Sequence, residues 1–370
     1  MLSARAIALY LPQFHPVPEN DQWWGKGFTE WTNTAKARPL FRGHYQPHVP
    51  ADLGFYDLRV PETRAQQAAM AREYGIEGFC YYHYWFAGRR VLNRPFDEVI
   101  ASGQPDFPFC VCWANETWSG IWHGAPKRIL IEQTYPGEED HRAHFATLLP
   151  AFRDPRYIRV DGKPLFLVYK PLKLPDVGQF LDLWRRMASD AGLGGLHIVA
   201  SSTKPSEDPV ALGYDAVVLG PDFKQRPWLR DWRDPIGRVR QSINARRGIP
   251  HVYPFADMAQ KSHAKRETAP TYPCVVHAWD NTPRAGKGGV VYENPDPEIY
   301  RTLLTSAISA VGDYPADQRI IFLKSWNEWA EGNHLEPDLR YGDAYLQVVA
   351  DVVRGQGVRG TEREAHGGVG

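Results

Sequence analysis

The chain has 370 residues, which allows one large domain or two ordinary ones. Its 43 basic and 43 acidic residues balance, and no long run of either sign occurs, so we expect neither nucleic acid nor an anionic membrane as its main partner. No stretch approaches the ~18 apolar residues of a membrane span, and no signal-peptide pattern begins the chain. We therefore expect a cytoplasmic protein without membrane insertion, whose oligomeric state the composition leaves open.

Eight short apolar runs, rich in β-branched and aromatic residues, are predicted to be strands: 6–12, 78–86, 107–115, 164–170, 196–202, 216–220, 274–279 and 319–326. Helical patterns lie between them or after the last: 61–74, 93–102, 140–152, 177–191, 206–213, part of 232–264, 298–311 and 343–354. Fully apolar strands that alternate with helices indicate a parallel sheet that is covered on both faces. This α/β pattern predicts a single (β/α)8 TIM barrel with long loops after its strands.

An open, doubly wound sheet is the main rival to the barrel. In that fold a glycine-rich turn leads from the first strand into a helix, but here a long loop, residues 13–57, follows the first strand. No GxGxxG follows any of the predicted strands. We predict one catalytic domain, residues 1–355, and a disordered tail, residues 356–370, which is rich in glycine and charge and has little to bury.

Polar and aromatic residues gather where five of the predicted strands end, which is the active face of such a barrel. Aromatic residues make up 13% of the chain, and their rings can stack on the apolar face of a sugar. Each residue taken singly has a plainer interpretation, as a solvated acid or as core packing, but five clusters at matching positions favour a binding cleft. The candidate substrate contacts are Glu30, Trp31, Tyr82, His83, Trp113, Asn115, Glu116, Trp118, Trp279, Asp280, Asn327 and Glu336.

Glu328 and Glu331 are the candidate catalytic residues, because paired carboxylates are what cleavage of a glycosidic bond requires. Both follow the apolar run 320–323, in a setting of Trp, Asn and Gly where an unpaired acid would be costly. On a continuous strand, residues three apart would point to opposite faces. The two carboxylates can therefore converge only if the strand ends near Trp326 and the chain turns, which Gly332 makes possible.

Other kinds of active site find little support in the sequence. The chain has no HExxH and no clustered His, Asp and Cys set at ligand spacing, so no metal is expected. It has no GxSxG of a serine hydrolase, no DxD acid pair and no glycine loop that would cradle a phosphate. We therefore expect no cofactor.

Five segments resemble the WbsX-like proteins, which are related to the endo-α-1,2-mannosidase family of glycoside hydrolases. They are Leu9-Tyr-Leu-Pro-Gln-Phe-His-Pro16, Trp23-Trp-Gly-Lys-Gly-Phe-Thr-Glu-Trp31, Gly78-Phe-Cys-Tyr-Tyr-His-Tyr-Trp85, Cys112-Trp-Ala-Asn-Glu116 and Trp326-Asn-Glu-Trp-Ala-Glu-Gly332. The resemblance implies a (β/α)8 barrel and a retaining mechanism. Glu328 would take a proton from the sugar 2-hydroxyl, which then attacks the anomeric carbon, and Glu331 would serve as the general acid and base. By placement it also implies substrate contacts at Glu30, Tyr82, His83 and Trp113.

The leading hypothesis is thus a glycoside hydrolase that acts on an α-linked oligosaccharide or polysaccharide, such as a bacterial surface glycan. Ala330 stands where the mannosidases often carry a larger residue, so the resemblance does not extend to the identity of the sugar. Three alternatives stay open: a conventional retaining glycosidase that uses Glu116 with Glu328, a transferase that builds polysaccharide, and a glycan-binding protein without activity. The intact Glu328 and Glu331 argue against the last.

Overall fold

The structure is a computed structural model that describes residues 4–120, 125–204, 207–221, 239, 248–259 and 270–355, with only the backbone described for residues 125–128. Its centre is a closed barrel of eight parallel strands, in which the first strand pairs with both the second and the last. The strands are β1 (Arg5–Tyr10), β2 (Gly78–Phe86), β3 (Phe109–Trp113), β4 (Lys163–Val168), β5 (His197–Ser202), β6 (Ala216–Leu219), β7 (Thr271–Val276) and β8 (Ile320–Lys324). The predicted (β/α)8 barrel is confirmed, and each strand overlaps one of the eight apolar runs, although β7 begins three residues before its run.

Ten helices are described. They are α1 (Pro18–Trp24), α2 (Glu30–Lys36), α3 (Pro61–Glu73), α4 (Arg94–Ser102), α5 (Glu138–Arg153), α6 (Val177–Asp190), α7 (Phe255–Ala259), α8 (Thr282–Ala285), α9 (Pro297–Ala310) and α10 (Ala344–Val353). Five short 3-10 turns accompany them: Pro171–Lys173, Val210–Leu212, Gly286–Gly288, Ala316–Gln318 and Trp329–Glu331. Where residues 206–213 were predicted to be helical, the described part forms only the turn Val210–Leu212. Most of the segment 232–264 and all of the predicted tail 356–370 lie outside the described residues.

Local sequence explains where the main helices begin. Pro61 occupies the first turn of α3, where its missing N–H costs nothing, and Glu62 beside it favours the positive helix end. Asp296 caps α9 by accepting a hydrogen bond from the backbone N–H of Glu298. The helices bury their apolar faces against strands that are themselves buried, as in β2, all nine residues of which are buried.

Short strands also form outside the barrel, most of them in the loops on its active face. They are Arg89–Val91, Trp118–Gly120, Ala125–Ile131, Arg159–Val160, His251–Pro254, Trp279–Asp280, Val290–Glu293, Asn327–Glu328 and Asn333–His334. The four cysteines are buried and unpaired. Among the described residues, no helix is long and apolar enough to cross a membrane.

Candidate active site

A tight hairpin follows β8 and carries both candidate catalytic residues. Asn327–Glu328 pairs antiparallel with Asn333–His334, and the 3-10 turn Trp329–Glu331 joins the two. Gly332 ends this turn in the left-handed region at φ 55°, and a Cβ there would lie 3.0 Å from the Cβ of Asp280. Glycine is therefore required both by the backbone conformation and by the close approach. The chain turns as the spacing of the two acids requires.

The turn brings Glu328 and Glu331 into a direct hydrogen bond. Both side chains are buried, with only 5% and 6% of their surface exposed. Lys324, the last residue of β8, places its Nζ 2.7 Å from Oε2 of Glu328 and 3.8 Å from Oε2 of Glu331. On the other side, Nη1 of Arg284 donates to Oε1 of Glu331 at 2.6 Å. The pair thus lies between two cations in a site from which water is largely excluded.

The surroundings push the pKa values of the two carboxyl groups in opposite directions. Burial alone would raise the pKa of Glu328, but the charge of Lys324, the hydrogen bond from Glu331 and the charge of Arg284 together lower it to about 2. Burial and the negative charge of Glu328 raise the pKa of Glu331 to about 8, against the opposing effects of Arg284 and Lys324. At neutral pH the pair therefore holds one negative charge and one proton, with the proton on Glu331.

Glu30, the first residue of α2, completes the charged cluster. Its carboxylate accepts hydrogen bonds from Nη2 of Arg284 and, at 3.1 Å, from the backbone N–H of Ala330. Burial raises its pKa, although Arg284 opposes the shift. Three carboxylates thus face two cations, so a single proton makes the cluster neutral, and Glu331 is the carboxyl whose pKa favours holding it.

Aromatic side chains border this cluster on the strand side. Tyr82 lies near the end of β2, where burial and then the charge of Glu328 raise its pKa. Tyr84 lies two residues further on the same face and packs edge-on against the half-buried ring of Trp118, 4.9 Å between centroids. The Trp279 ring lies 5.5 Å from Nζ of Lys324. Tyr82, Trp118 and Trp279 therefore surround the carboxylate cluster, and their contact with a substrate stays a prediction.

Asn327 ties the hairpin to the barrel. Its Oδ1 accepts from the backbone N–H of Leu11 at 2.7 Å, and its Nδ2 donates to the carbonyl of Leu11 at 3.0 Å. The side chain is fully buried, and both of its polar atoms are used within the protein. The expected substrate contact is therefore corrected: Asn327 fixes the position of Glu328 relative to β1.

Glu336 and Trp31 support the hairpin from below. The Glu336 carboxylate accepts from Nε1 of Trp329 at 2.6 Å, from the Tyr56 hydroxyl at 2.9 Å and from Nε2 of Gln67 at 2.6 Å. The Trp31 ring packs 5.2 Å from that of Trp329, and its Nε1 donates to the carbonyl of Tyr56. These contacts satisfy both side chains inside the protein, so they position the turn rather than meet a substrate.

The Asp280 carboxylate also forms its hydrogen bonds with other protein groups. Its Oδ2 lies 2.7 Å from Nε2 of His44 and accepts from Nε2 of Gln46 at 2.6 Å, while its Oδ1 accepts from the hydroxyl and backbone N–H of Thr282. Although burial opposes it, the bonds to these partners lower the pKa of Asp280. Because Gly332 packs directly on it, Asp280 anchors the loop after β1 and α8 around the hairpin.

Asn115 and Glu116 behave differently although they are neighbours. Asn115 is buried and bonds both the N–H and the carbonyl of Lys170, as well as the hydroxyl of Tyr135, so it clamps the loops after β3 and β4 together. Glu116 is exposed, with Oε1 3.9 Å from Nζ of Lys170. An exposed acid at the rim can contact a substrate, but it lacks the enclosed setting of Glu328 and Glu331.

His83 and Trp113 face away from the cleft, which corrects both expectations. Successive strand residues point to opposite faces, so His83 points outward where Tyr82 points inward. Nε2 of His83 lies 2.9 Å from Nε2 of His144 on α5, and burial lowers the pKa of His83 to about 3. The Trp113 ring packs against His144 and Phe180 in the helical layer. Neither side chain is a stacking platform for a sugar.

Lys324 and Arg284 hold the candidate catalytic pair, and neither was predicted from the sequence. A lysine that ends an otherwise apolar barrel strand was the available signal for Lys324, since a buried charge needs a partner. Arg284 gave no comparable signal. A further group also converges: ligand atoms of His48, His334 and Asp338 all lie within 4.8 Å of one another. Sequence spacing could not indicate this group, because His48 lies far from His334 and Asp338 along the chain.

The fold is a (β/α)8 barrel with counterparts among solved structures. It is similar to a solved "Glycoside hydrolase-like protein", with a TM-score of 0.61 and 14% identity over 95% of this chain and 94% of that one. It is also similar to the GH99 endo-alpha-mannosidase from Bacteroides thetaiotaomicron in complex with bis-tris-propane, with a TM-score of 0.59 and 15% identity over 96% and 98% of the two chains. At these identities the likeness is one of fold.

Sequence comparison gives the family. The chain belongs to the WbsX family, since the family model described as "Glycosyltransferase WbsX" matches residues 6–349. It is 41% identical over 349 residues to the "Uncharacterized protein WxcX" of two Xanthomonas campestris pv. campestris strains, B100 and ATCC 33913. The match covers 94% of this chain and 49% of each relative, so the chain spans about half the length of these relatives.

Proposed function

We propose that this chain is a glycoside hydrolase that cleaves an α-linked oligosaccharide or polysaccharide with retention of configuration. The observation that carries the proposal is the buried pair Glu328 and Glu331 between Lys324 and Arg284, surroundings that lower the pKa of Glu328 and raise that of Glu331. When the environment separates the pKa values of two neighbouring acids, the one with the lower pKa can act as the base and the one with the higher pKa as the acid. The barrel similarity to solved glycoside hydrolases supports the same class of reaction.

In the first step Glu328 accepts the proton of the sugar 2-hydroxyl as that oxygen attacks the anomeric carbon, which yields a 1,2-anhydro sugar. The bond to the leaving oxygen breaks, and Glu331 donates its proton to that oxygen. In the second step Glu331 takes a proton from water as the water oxygen attacks the anomeric carbon. Glu328 returns its proton to O2, so both carboxyl groups end as they began. These roles follow the resemblance to the endo-α-1,2-mannosidase family.

The contacts of the pair suggest how the two proton transfers are coupled. The hydrogen bond from Glu331 is among the groups that lower the pKa of Glu328. When Glu331 turns its proton toward a leaving oxygen, that bond is lost and Glu328 becomes a stronger base. Arg284 then compensates the new charge on Glu331, because its Nη1 already donates to Oε1 of that residue. Acid and base therefore act together when a substrate is in place.

The alternative pair, Glu116 with Glu328, is less well supported. A conventional retaining enzyme holds two carboxyl groups about 5 Å apart across an enclosed cleft. Glu116 is exposed and lies near Lys170, whereas Glu331 is buried in direct contact with Glu328. We therefore assign Glu116 to the rim of the substrate cleft.

Transfer of a sugar to build a polysaccharide is the second candidate, and the description of the family model favours it. A transferase of this kind would need to bind a nucleotide-sugar donor. The sequence offers no DxD and no phosphate-cradling glycine loop for such a donor.

One screen tests both candidates. The wild-type chain and Glu331→Gln are incubated with a panel of α-linked oligosaccharides and aryl α-glycosides, and the products are identified by mass spectrometry and anomeric NMR. Hydrolysis with retention by the wild type, and its loss in Glu331→Gln, is the expected result. A nucleotide-sugar that raises the melting temperature and is consumed to extend an acceptor, with no hydrolysis on the panel, would overturn the proposal in favour of the transferase.

A further inference from the structure

A cavity of about 180 Å³ is lined by the loop after β1, the segments around Trp279 and Tyr292, and the hairpin with the residues after it. Its lining includes His48 from the loop after β1, His334 from the second hairpin strand and Asp338 just beyond. Neither Glu328 nor Glu331 lines it. All three ligand-type side chains are buried, with exposures of 7%, 5% and 3%. They are the one such group of three among the described residues.

We propose that Nδ1 of His48, Nε2 of His334 and Oδ2 of Asp338 bind a divalent first-row transition metal, with Zn²⁺ as the favoured ion. Two imidazoles and one carboxylate form a ligand set that suits zinc and its neighbours and disfavours Mg²⁺ and Ca²⁺, which prefer oxygen. The cavity leaves room for water to complete the coordination sphere. Its three ligands include neither Glu328 nor Glu331, so the proposed metal site does not depend on the proposed glycosidase function.

The distances are close to those that a metal would impose. His48 Nδ1 lies 2.8 Å from His334 Nε2, and Asp338 Oδ2 lies 3.8 Å from each of these nitrogens. With metal–ligand bonds of about 2.0–2.1 Å, ligand atoms are separated by roughly 3.0 Å in octahedral and 3.4 Å in tetrahedral geometry. To reach the tetrahedral spacing, the two imidazole nitrogens must move apart by about half an ångström, and the carboxylate oxygen must move closer to both by a similar amount. Side-chain rotations of a few degrees supply such movements.

Hydrogen bonds around the site already orient the ligands. His334 Nδ1 lies 2.9 Å from the carbonyl oxygen of Glu336, so Nδ1 carries the proton and Nε2 presents its lone pair. Asp338 Oδ1 accepts from the backbone N–H groups of Arg340 and Tyr341 at 2.9 and 2.7 Å, which leaves Oδ2 turned toward the two imidazoles. Partners of this kind hold metal-binding histidines and carboxylates in place.

An ordinary hydrogen bond between two imidazoles is the plainer interpretation, and the chain contains an internal example of it. His83 and His144 also form a buried pair, with 2.9 Å between their Nε2 atoms. No acid joins that pair in a ligand-type group among the described residues. The carboxylate, and the fixed tautomer of His334, distinguish the first pair from the second.

A metal here would fasten the loop after β1 to the catalytic hairpin. His48 belongs to the loop and His334 to the hairpin strand that pairs with Asn327–Glu328. The His334 ring also stacks on the Trp329 ring, with centroids 3.6 Å apart and planes 7° from parallel. Restraining His334 therefore restrains the turn that presents Glu328 and Glu331. The metal is structural, and it acts on the position of the pair.

The test uses the untagged chain, stripped with a chelator and dialysed, with Zn²⁺ binding measured by titration calorimetry and Co²⁺ binding by visible absorption. The wild type is expected to bind one ion per chain. Asp338→Asn keeps an acceptor for the two N–H groups but removes the anionic ligand, and His334→Gln removes an imidazole. Each should weaken Zn²⁺ binding at least tenfold, whereas the matched control His144→Gln should bind as the wild type does.

Two results would overturn the proposal. One is a wild-type chain, folded by circular dichroism, that binds no Zn²⁺ or Co²⁺ at one ion per chain. The other is Zn²⁺ binding that survives unchanged in either ligand variant. If one ligand variant fails to fold, the other and the wild-type stoichiometry still decide. None of these measurements uses glycosidase activity, so failure of the metal site and failure of the proposed function are distinguishable.

Discussion

Replacing Glu331 with Gln should reduce the loss of stability that the folded protein suffers as the pH rises. The native site raises the pKa of Glu331 to about 8 from an ordinary value of 4.5. Between these values the folded chain holds a proton that the unfolded chain has released. The free energy of unfolding therefore falls as the pH rises through this window. Gln mimics the protonated acid, since it can accept from Arg284 and donate to Glu328, but it does not titrate.

The size of the effect follows from the shift. Each pH unit inside the window lowers the free energy of unfolding by about 1.4 kcal/mol. An increase from pH 5.5 to pH 8, where Glu331 is half titrated, therefore lowers it by about 3 kcal/mol. With an unfolding entropy of about 2 cal/mol/K per residue, a chain of 370 residues loses about 4 °C of melting temperature over this range from Glu331 alone. Other titrating groups contribute equally in both proteins and cancel in the difference.

The assay is a melting curve for the wild type and Glu331→Gln at half-unit pH steps. The melting temperature of Glu331→Gln should fall about 4 °C less than that of the wild type between pH 5.5 and 8. Glu116→Gln is the control, because it removes an exposed carboxylate and should track the wild type. Parallel curves for the wild type and Glu331→Gln would refute the reasoning, since Glu331 would then carry no proton in this range.

Three further substitutions probe the support of the pair. Lys324→Met removes the buried cation that pairs with the ionised Glu328 and should cost about 3–5 kcal/mol of unfolding free energy, or ~4–7 °C of melting temperature. Lys170→Met, at the partly exposed rim, should change the melting temperature by under about 1 °C. Glu336→Ala strands three buried donors and should lower the melting temperature by at least about 4 °C; a smaller loss would contradict the assigned network. Gly332→Ala adds a close contact to a left-handed residue and should cost more than Gly342→Ala, where the conformation is similar but the space is open; equal melting temperatures would contradict this.

Much of the fold could be predicted because it depends on local pattern. The eight apolar runs overlap β1–β8, since strands buried on both faces must be apolar along their whole length. The turn at Gly332 could be predicted from the spacing of Glu328 and Glu331. The helix expected in residues 206–213 was wrong: its described part has few apolar positions to bury and forms only a short turn.

The errors in the site arose where tertiary contacts decide the direction of a side chain. His83 and Trp113 lie in aromatic strand ends, but the alternation of strand residues turns them toward α5 and α6. Asn327 and Glu336 lie close to the carboxylate pair as predicted, but their side chains hydrogen-bond with protein groups that are distant in the sequence. The contact between His48 and His334 spans 286 positions, and no local spacing rule can detect it.

The roles of the two acids can be tested directly by varying the leaving group. The fluoride ion of a glycosyl fluoride can leave without being protonated, whereas the leaving oxygen of an ordinary glycoside needs a proton from Glu331. On a matched α-glycosyl fluoride and α-glycoside that the wild type hydrolyses, Glu331→Gln should keep at least a tenfold larger fraction of the wild-type kcat/KM for the fluoride. Glu328→Gln should lose rate equally on both, by at least about a hundredfold. Near-normal rates in either variant, or equal losses by Glu331→Gln on both substrates, would contradict the assignment of Glu328 as base and Glu331 as acid.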